Sequence, residues 1–348
     1  MNASSHPPAL PVVAIVGATG AVGRVLIDCL AARRFPLARL RLFASARSAG
    51  QTLPFGGTDI VIEELTAQSF AGVDIAFFAA GAGISRQFAP IAAAAGARVI
   101  DNSSAFRADP SIPLVVPEAN GAALAGAGAI IANPNCIAAI LTTALAPLHQ
   151  RWSITRLTIA TYQAASGGGA AMMDELRAAT QAHLAGEPFA PQVLPHDYAF
   201  NVFSHNAAVD AETGYNGEEL KVIAETRRIL GLPALPVSVT CVRVPVLRAH
   251  AIALTIRFSD HVTPESVRSA LAGAPGVRVV DDRARNHFPM PSDASGQDDV
   301  LVGRIRTDLG DPSGRSIGLF IVGDQLLKGA ALNAVQIAEA LTPVPVAA

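Results

Sequence analysis

The stretch that most constrains this chain is "VVAIVGATGAVGRVLIDCL", residues 12–30. Its first five residues, mostly β-branched and bounded by Pro11 and Gly17, read as a buried strand. Gly17, Gly20 and Gly23 then turn the chain into an amphipathic helix. A strand that feeds a helix in this way returns as a parallel neighbour through a right-handed crossover. "ARLRLFAS" (38–45) and "VDIAFFAA" (73–80) supply the second and third strands, and "SRQFAPIAAAAGA" is a helix leading to the strand "RVID". The expected class is α/β, with an N-terminal Rossmann-like domain built on a parallel sheet.

That regularity stops near residue 150. "ITRLTIATYQA", "LPVSVTCVRVPVL" and "HAIALTIRFSD" are longer strands, with the helical "GEELKVIAETRRILG" among them. A second, mixed α+β domain is expected there. The closing "DQLLKGAALNAVQIAEAL" has helical apolar spacing and is expected to pack back on the first domain. The expected boundaries are 1–134 plus 326–348 for the first domain and 135–325 for the second.

Composition removes several function classes. With 51% hydrophobic and 16% charged residues the chain can bury a sizeable core and is not disordered. A net charge of −2 with scattered basic residues leaves no footprint for nucleic acid or an anionic membrane. The alanine-rich stretch 119–148 is interrupted by Asn133, Pro134 and Asn135 before it reaches spanning length. "MNASSHPPALP" lacks the pattern of a secretory leader, and three cysteines make no disulfide framework. A cytoplasmic protein is expected. Of the 26 basic residues only Lys221 and Lys328 are lysines, which marks both positions for attention.

The glycine turn follows the first strand and opens the first helix, where backbone can approach a pyrophosphate at a helix N-terminus. Its spacing is G-x-x-G-x-x-G, so its place in the first βα unit carries the reading. NAD sites usually have an acid after the second strand to bind the ribose 2′-hydroxyl, whereas arginine suits a 2′-phosphate. This chain has "ASARSAG", with Ser45, Arg47 and Ser48 and no carboxylate. NADP is expected.

"NPNCIAAILTTALAPL" places Cys136 in the first turn of an uncharged, buried helix that should end near Pro147. Unpaired N–H groups and the helix dipole there favour a thiolate. Cys29, inside a helix, and Cys241, inside a strand, read as inert buried thiols. A nucleotide domain followed by such a cysteine suggests thiol addition to an aldehyde, hydride transfer and a thioester.

The ordered set "GATGAVG", "DNSSAFR", "LVVPEAN", "NPNC", "QAASGGG", "GEELK", "CVRVPVLRAH" and "KGAALNAVQIAE" resembles aspartate-semialdehyde dehydrogenase from residue 12 to about 341. The resemblance implies reductive dephosphorylation of L-4-aspartyl phosphate with NADPH, a step toward lysine, threonine, methionine and diaminopimelate. It implies a homodimer formed through the second domain and no metal. By the same resemblance Cys136 is the nucleophile, His250 the acid/base group and Gln163 the residue that orients the substrate. Arg243 would hold the α-carboxylate and Glu218 the α-amino group, while Arg107 and Lys221 would bind phosphate. Asn135 is expected to help hold the oxyanion. The cofactor is placed against Gly17, Thr19, Gly20, Ala21, Val22, Gly23, Ser45, Arg47, Ser48, Ser166, Gly167 and Asn333. The segment "GDQLLKGA" departs from the family, which more often has asparagine after the aspartate.

Two expectations come from spacing. Glu218 and Lys221, three apart at a helix start, can face one pocket. Arg243 and His250 would fall on opposite faces of an unbroken strand, so Pro245 is expected to mark a bend or bulge. Rival readings are N-acetyl-γ-glutamyl-phosphate reductase, whose blocked amino group needs no carboxylate like Glu218, and glyceraldehyde-3-phosphate dehydrogenase, whose cysteine motif differs. A non-catalytic NADP-binding paralogue is the rival from another class.

Overall fold

The computed structural model describes residues 10–342. The opening residues read above and the last six, assigned to the first domain, lie outside the described residues. Two compact units form, one from residues 10–115, 121–133 and 334–342, the other from 116–120 and 134–333.

The first unit runs β1 (Val12–Val16), α1 (Ala21–Ala32), β2 (Arg39–Ala44), β3 (Thr52–Phe55), β4 (Thr58–Glu64), β5 (Ile75–Phe78), α2 (Ala82–Ala94), β6 (Arg98–Asp101) and β7 (Ile130–Ala132). Its seven-stranded sheet has the order β3-β4-β2-β1-β5-β6-β7 and is parallel except where β3 meets β4. β1 lies in the middle, and Val13 to Val16 are fully buried, as a near-continuous apolar run should be in a parallel sheet. The β3–β4 hairpin is an element the strand reading passed over. Its Gly56-Gly57 turn has φ of 57° and 84°, the left-handed pair that a two-residue hairpin loop requires.

In the second unit α3 (Pro117–Asn120) and α4 (Cys136–His149) precede β8 (Ile154–Gln163), α5 (Ala170–Ala185), β9 (Phe203–Ser204) and α6 (Gly217–Ile229). Then come β10 (Val237–Arg243), β11 (His250–Phe258), α7 (Pro264–Leu271), β12 (Val277–Val279), α8 (Pro291–Ala294), β13 (Val300–Thr307) and β14 (Ser316–Gly323). A π-helical turn, Leu327–Ala331, leads into α9 (Leu332–Leu341), whose residues from 334 on belong to the first unit. The mixed sheet has the order β12-β13-β14-β11-β8-β10-β9.

Leu157, Ile159, Thr161 and Gln163 of β8 point to the buried face, whereas Thr158 and Tyr162 are exposed. α4 packs in the same core, which holds its Ile137, Ile140, Leu141, Leu145 and Leu148, each burial contributing roughly 1.5–3 kcal/mol. α4 ends at His149, near Pro147 as expected, with Pro147 itself inside its last turn. Leu148 is fully buried and Gln150 N–H donates to Ala146 O, so packing holds the turn that proline disfavours. Among the described residues no helix is long and apolar enough to cross a membrane.

Candidate active site

Cys136 is the first residue of α4, and the chain above it is wired to α6. Asn135 caps the helix, its Oδ1 accepting from Ile137 N–H at 2.9 Å and Ala138 N–H at 3.4 Å. Its Nδ2 donates to Glu218 Oε1 at 2.9 Å, and its backbone N–H to Glu225 Oε2 at 2.5 Å. Glu218 and Glu225 are two helical turns apart, so one face of α6 grips the residue before the thiol. Glu225 was not singled out from sequence, because its partner is 90 residues away. Asn135 therefore has capping and bridging work that the oxyanion expectation did not foresee.

Neighbouring Glu218 and Glu219 look alike in sequence and separate in the fold. Glu219 closes a capping box with Asn216 and accepts Cys241 N–H at 2.9 Å, so it holds α6 on β10. Glu218 Oε1 accepts from Gln163 Nε2 at 3.2 Å as well as from Asn135, and Oε2 lies 3.7 Å from Lys221 Nζ.

Gln163 ends β8, and its register partner on parallel β10 is Arg243. On the other side of β8, antiparallel β11 pairs Ala251 with Tyr162, which brings His250 alongside Gln163. The bend expected at Pro245 is present, within a longer break in the strand. β10 stops at Arg243, residues 244–249 cross over β8, and His250 opens a different strand. Facing residues on paired strands share a side, so Arg243, Gln163 and His250 all point to the buried face. They are 4%, 1% and 0% exposed. Gly167 lies over them: a β-carbon there would stand 3.0 Å from both Arg243 Nη1 and His250 Nε2.

Arg243 donates to Ala164 O at 3.2 Å and Asn206 Oδ1 at 3.3 Å, and among the described residues no carboxylate pairs with it. His250 Nδ1 accepts Ala164 N–H at 2.9 Å, which assigns the ring proton to Nε2. Nε2 has no hydrogen-bond partner among the described residues. Burial first, then the charge of Arg243 and nearby His205, hold His250 well below the usual histidine range. His205, which the sequence did not flag, is pushed down to about 4 by burial and by Arg243. Burial alone would raise Glu218. Charge interaction with His205, the hydrogen bond from Asn135, the charge of Lys221 and the bond from Gln163 keep it below the ordinary carboxylate value.

In the first unit, the glycine turn fits a nucleotide phosphate. Gly17 has φ of 85°, and a β-carbon at Gly23 would lie 2.2 Å from Gly17 O. Gly20 precedes α1 with no side-chain cap, Ala21 and Val22 form its first turn, and Thr19 O accepts Arg24 Nε at 3.2 Å. No side chain caps this helix start, which suits the binding of a phosphate by its amides. Ser45 and Arg47 are exposed and Ser48 half-buried in a short 3₁₀ turn after β2. β4 brings Glu64 beside Ala44, a carboxylate hidden from a reading of the β2 loop alone. Arg107 donates to Asn133 O at 2.8 Å and Asn102 O at 2.7 Å. In the second unit Ser166 is buried and bonded to Gln325. Asn333, assigned to the cofactor, is wholly buried with its Oδ1 accepting from Lys328 Nζ at 2.9 Å, so it offers no surface to a ligand in this conformation.

Comparison with known proteins places this arrangement. Residues 12–127 match the Semialdehyde dehydrogenase, NAD binding domain, and residues 145–328 the Semialdehyde dehydrogenase, dimerisation domain. The aspartate-semialdehyde dehydrogenase of Synechocystis is 49% identical over 94% of this chain and 96% of its own. The crystal structure of aspartate semialdehyde dehydrogenase II complexed with ASA from Vibrio cholerae superposes with a TM-score of 0.92 at 41% identity, covering 96% of this chain and 98% of that one. The Candida albicans aspartate semialdehyde dehydrogenase with NADP gives a TM-score of 0.73 at 25% identity, over 96% of this chain and 98% of that one. With both domain types matched in order and a close relative along nearly its whole length, the chain belongs to the aspartate-semialdehyde dehydrogenase family.

Proposed function

We propose that this chain catalyses the NADPH-dependent reductive dephosphorylation of L-4-aspartyl phosphate to L-aspartate 4-semialdehyde. The observation that carries the reading is a buried pair of opposite charges around one amide. Gln163 is in register with Arg243 and bonded to Glu218, which in turn is bonded to the residue before Cys136. An α-amino acid presents a carboxylate and an ammonium group, and Arg243 and Glu218 match them in charge. Arg243 adds the planar donor fork that suits a carboxylate.

Cys136 Sγ attacks the acyl carbon, phosphate leaves, and the acyl group is held as a thioester. The dinucleotide, when bound, supplies the hydride that reduces this thioester. The resulting oxyanion re-forms its C=O bond as the C–S bond breaks, which releases aldehyde and returns the thiolate, and His250 Nε2–H, the proposed acid/base group, holds that oxygen by a hydrogen bond. Asn135 acts by holding the helix start and Glu218 in place. Lys221 and Arg107 are the cations we assign to phosphate.

NADP rather than NAD is supported by the loop after β2, which holds Arg47 and no acid. We assign nucleotide binding to the first unit and catalysis to the second. A homodimer through the second unit is supported by the domain it matches and by the open face of its sheet, where Tyr162 is 38% exposed. A cytoplasmic location follows from a soluble amino-acid substrate and cofactor. The deciding assay is phosphate-dependent reduction of NADP with aspartate semialdehyde. Robust turnover is expected, with little on N-acetylglutamate semialdehyde; equal rates on both aldehydes would overturn the substrate assignment.

A further inference from the structure

Asp324 is wholly buried, and no step above uses it. Its Oδ1 accepts Leu326 N–H at 2.9 Å and Leu327 N–H at 3.4 Å, and its backbone O accepts Gly329 N–H at 3.1 Å. These bonds shape the π-helical turn, an uncommon geometry that recurs at functional sites. The turn sets Gly329 on the nucleophile: a β-carbon there would lie 2.8 Å from Cys136 Cβ. Asp324 Oδ2 reaches the opposite way, to Arg248 Nε at 2.7 Å and Gly296 N–H at 2.6 Å. Arg248 stands two residues before His250 in the crossover. Next to Asp324, Gln325 Oε1 accepts Ala249 N–H at 2.9 Å, and Ala249 is held at φ of 72°.

One carboxylate thus joins the turn beneath the thiol to the turn that launches the imidazole. We infer that Asp324, through Arg248, is the positioning residue that sets the spacing between Cys136 and His250. This rests on the roles proposed above for those two groups. A charged acceptor with four side-chain bonds is stiff, and stiffness matters because a misplacement of about 1 Å can cost on the order of a hundredfold in rate. Asparagine at this position would keep the shape but lose the charge facing Arg248.

The experiment compares Asp324→Asn, Arg248→Met and Arg248→Lys with the wild type. Steady-state kinetics with aspartate semialdehyde, phosphate and NADP are run across pH, alongside thermal melts and the rate of Cys136 alkylation by iodoacetamide. Asp324→Asn and Arg248→Met should lower kcat by about tenfold to a hundredfold with KM values held within about twofold. Their kcat–pH profiles should shift, their alkylation rates should change, and Arg248→Lys should recover most of the loss. Should Asp324→Asn fail to fold, Arg248, whose side chain is 33% exposed, decides alone. Wild-type kcat in Arg248→Met, or a change confined to KM, overturns the inference. An inactive wild type would instead overturn the proposed function.

Discussion

Helices α1 and α4 both begin at a site to which we assign a function, and they are built in opposite ways. α1 starts behind Gly17 and Gly20, with Gly23 in its first turn, no side-chain cap and no acid in that turn. α4 starts under Asn135, whose side chain caps it and whose amides reach Glu218 and Glu225. A dinucleotide phosphate is bound by main chain, so that end must be bare, and glycine is what local sequence can supply. A nucleophile must be aimed to fractions of an ångström, which takes side chains from several distant strands and helices.

Substitutions at the two helix starts should therefore separate cleanly. The largest effect is expected at α4. Cys136→Ala should cut turnover by about 10⁴-fold or more, since removing a nucleophile removes the covalent path. Melting temperature and NADP affinity should stay near wild type, and substantial residual activity would refute the nucleophile assignment. Next come the charges around Gln163. Loss of one partner from a desolvated pair costs roughly 2–5 kcal/mol, or about thirtyfold to several thousandfold. Glu218→Gln and Arg243→Leu should lower kcat/KM for aspartate semialdehyde by that much while NADP binding holds. An indifferent Glu218→Gln enzyme would break the amino-group contact.

In the first unit, at the loop after β2, the effects should be smaller and confined to the cofactor. Arg47 is exposed, so Arg47→Ala should raise KM for NADP by about threefold to tenfold and leave that for NAD nearly unchanged. Equal kcat/KM for the two cofactors in the wild type would show that Glu64, beside Ala44, outweighs Arg47.

The smallest effect is on stability. His205 is depressed to about 4 and His250 lies well below 6.5, so the unfolded chain binds more protons below pH 6.5. Stability should be flat above that value and fall as pH drops from about 6.5 toward 4. Glu218, held below 4.5, adds a loss in the same direction at still lower pH. Melting curves from pH 8 to 4.5 test this, and His205→Gln should flatten the slope. Identical melting temperatures at pH 7 and 5 would contradict it.

The parallel half of the fold was legible because its signals are local. Val12–Val16, the glycine turn and α1 follow one another within about twenty residues, and the Gly56-Gly57 hairpin could have been found by the same rule. Cys136 was legible as the start of a buried helix for the same reason. The site around it was not. Glu218 and Glu219 are chemically identical in sequence, and only the positions of Asn216, Asn135 and Gln163 give Glu219 a capping role and bond Glu218 to Gln163 and the residue before Cys136. Arg243 and His250 looked incompatible at a spacing of seven, because strand periodicity holds within one strand and says nothing of a crossover. The order β11-β8-β10 placed them on either side of Gln163. Local spacing and backbone chemistry determined the strands, the turns and the place of Cys136 at a helix start. Sheet register, which depends on pairings between residues far apart in the chain, decided which side chains surround it.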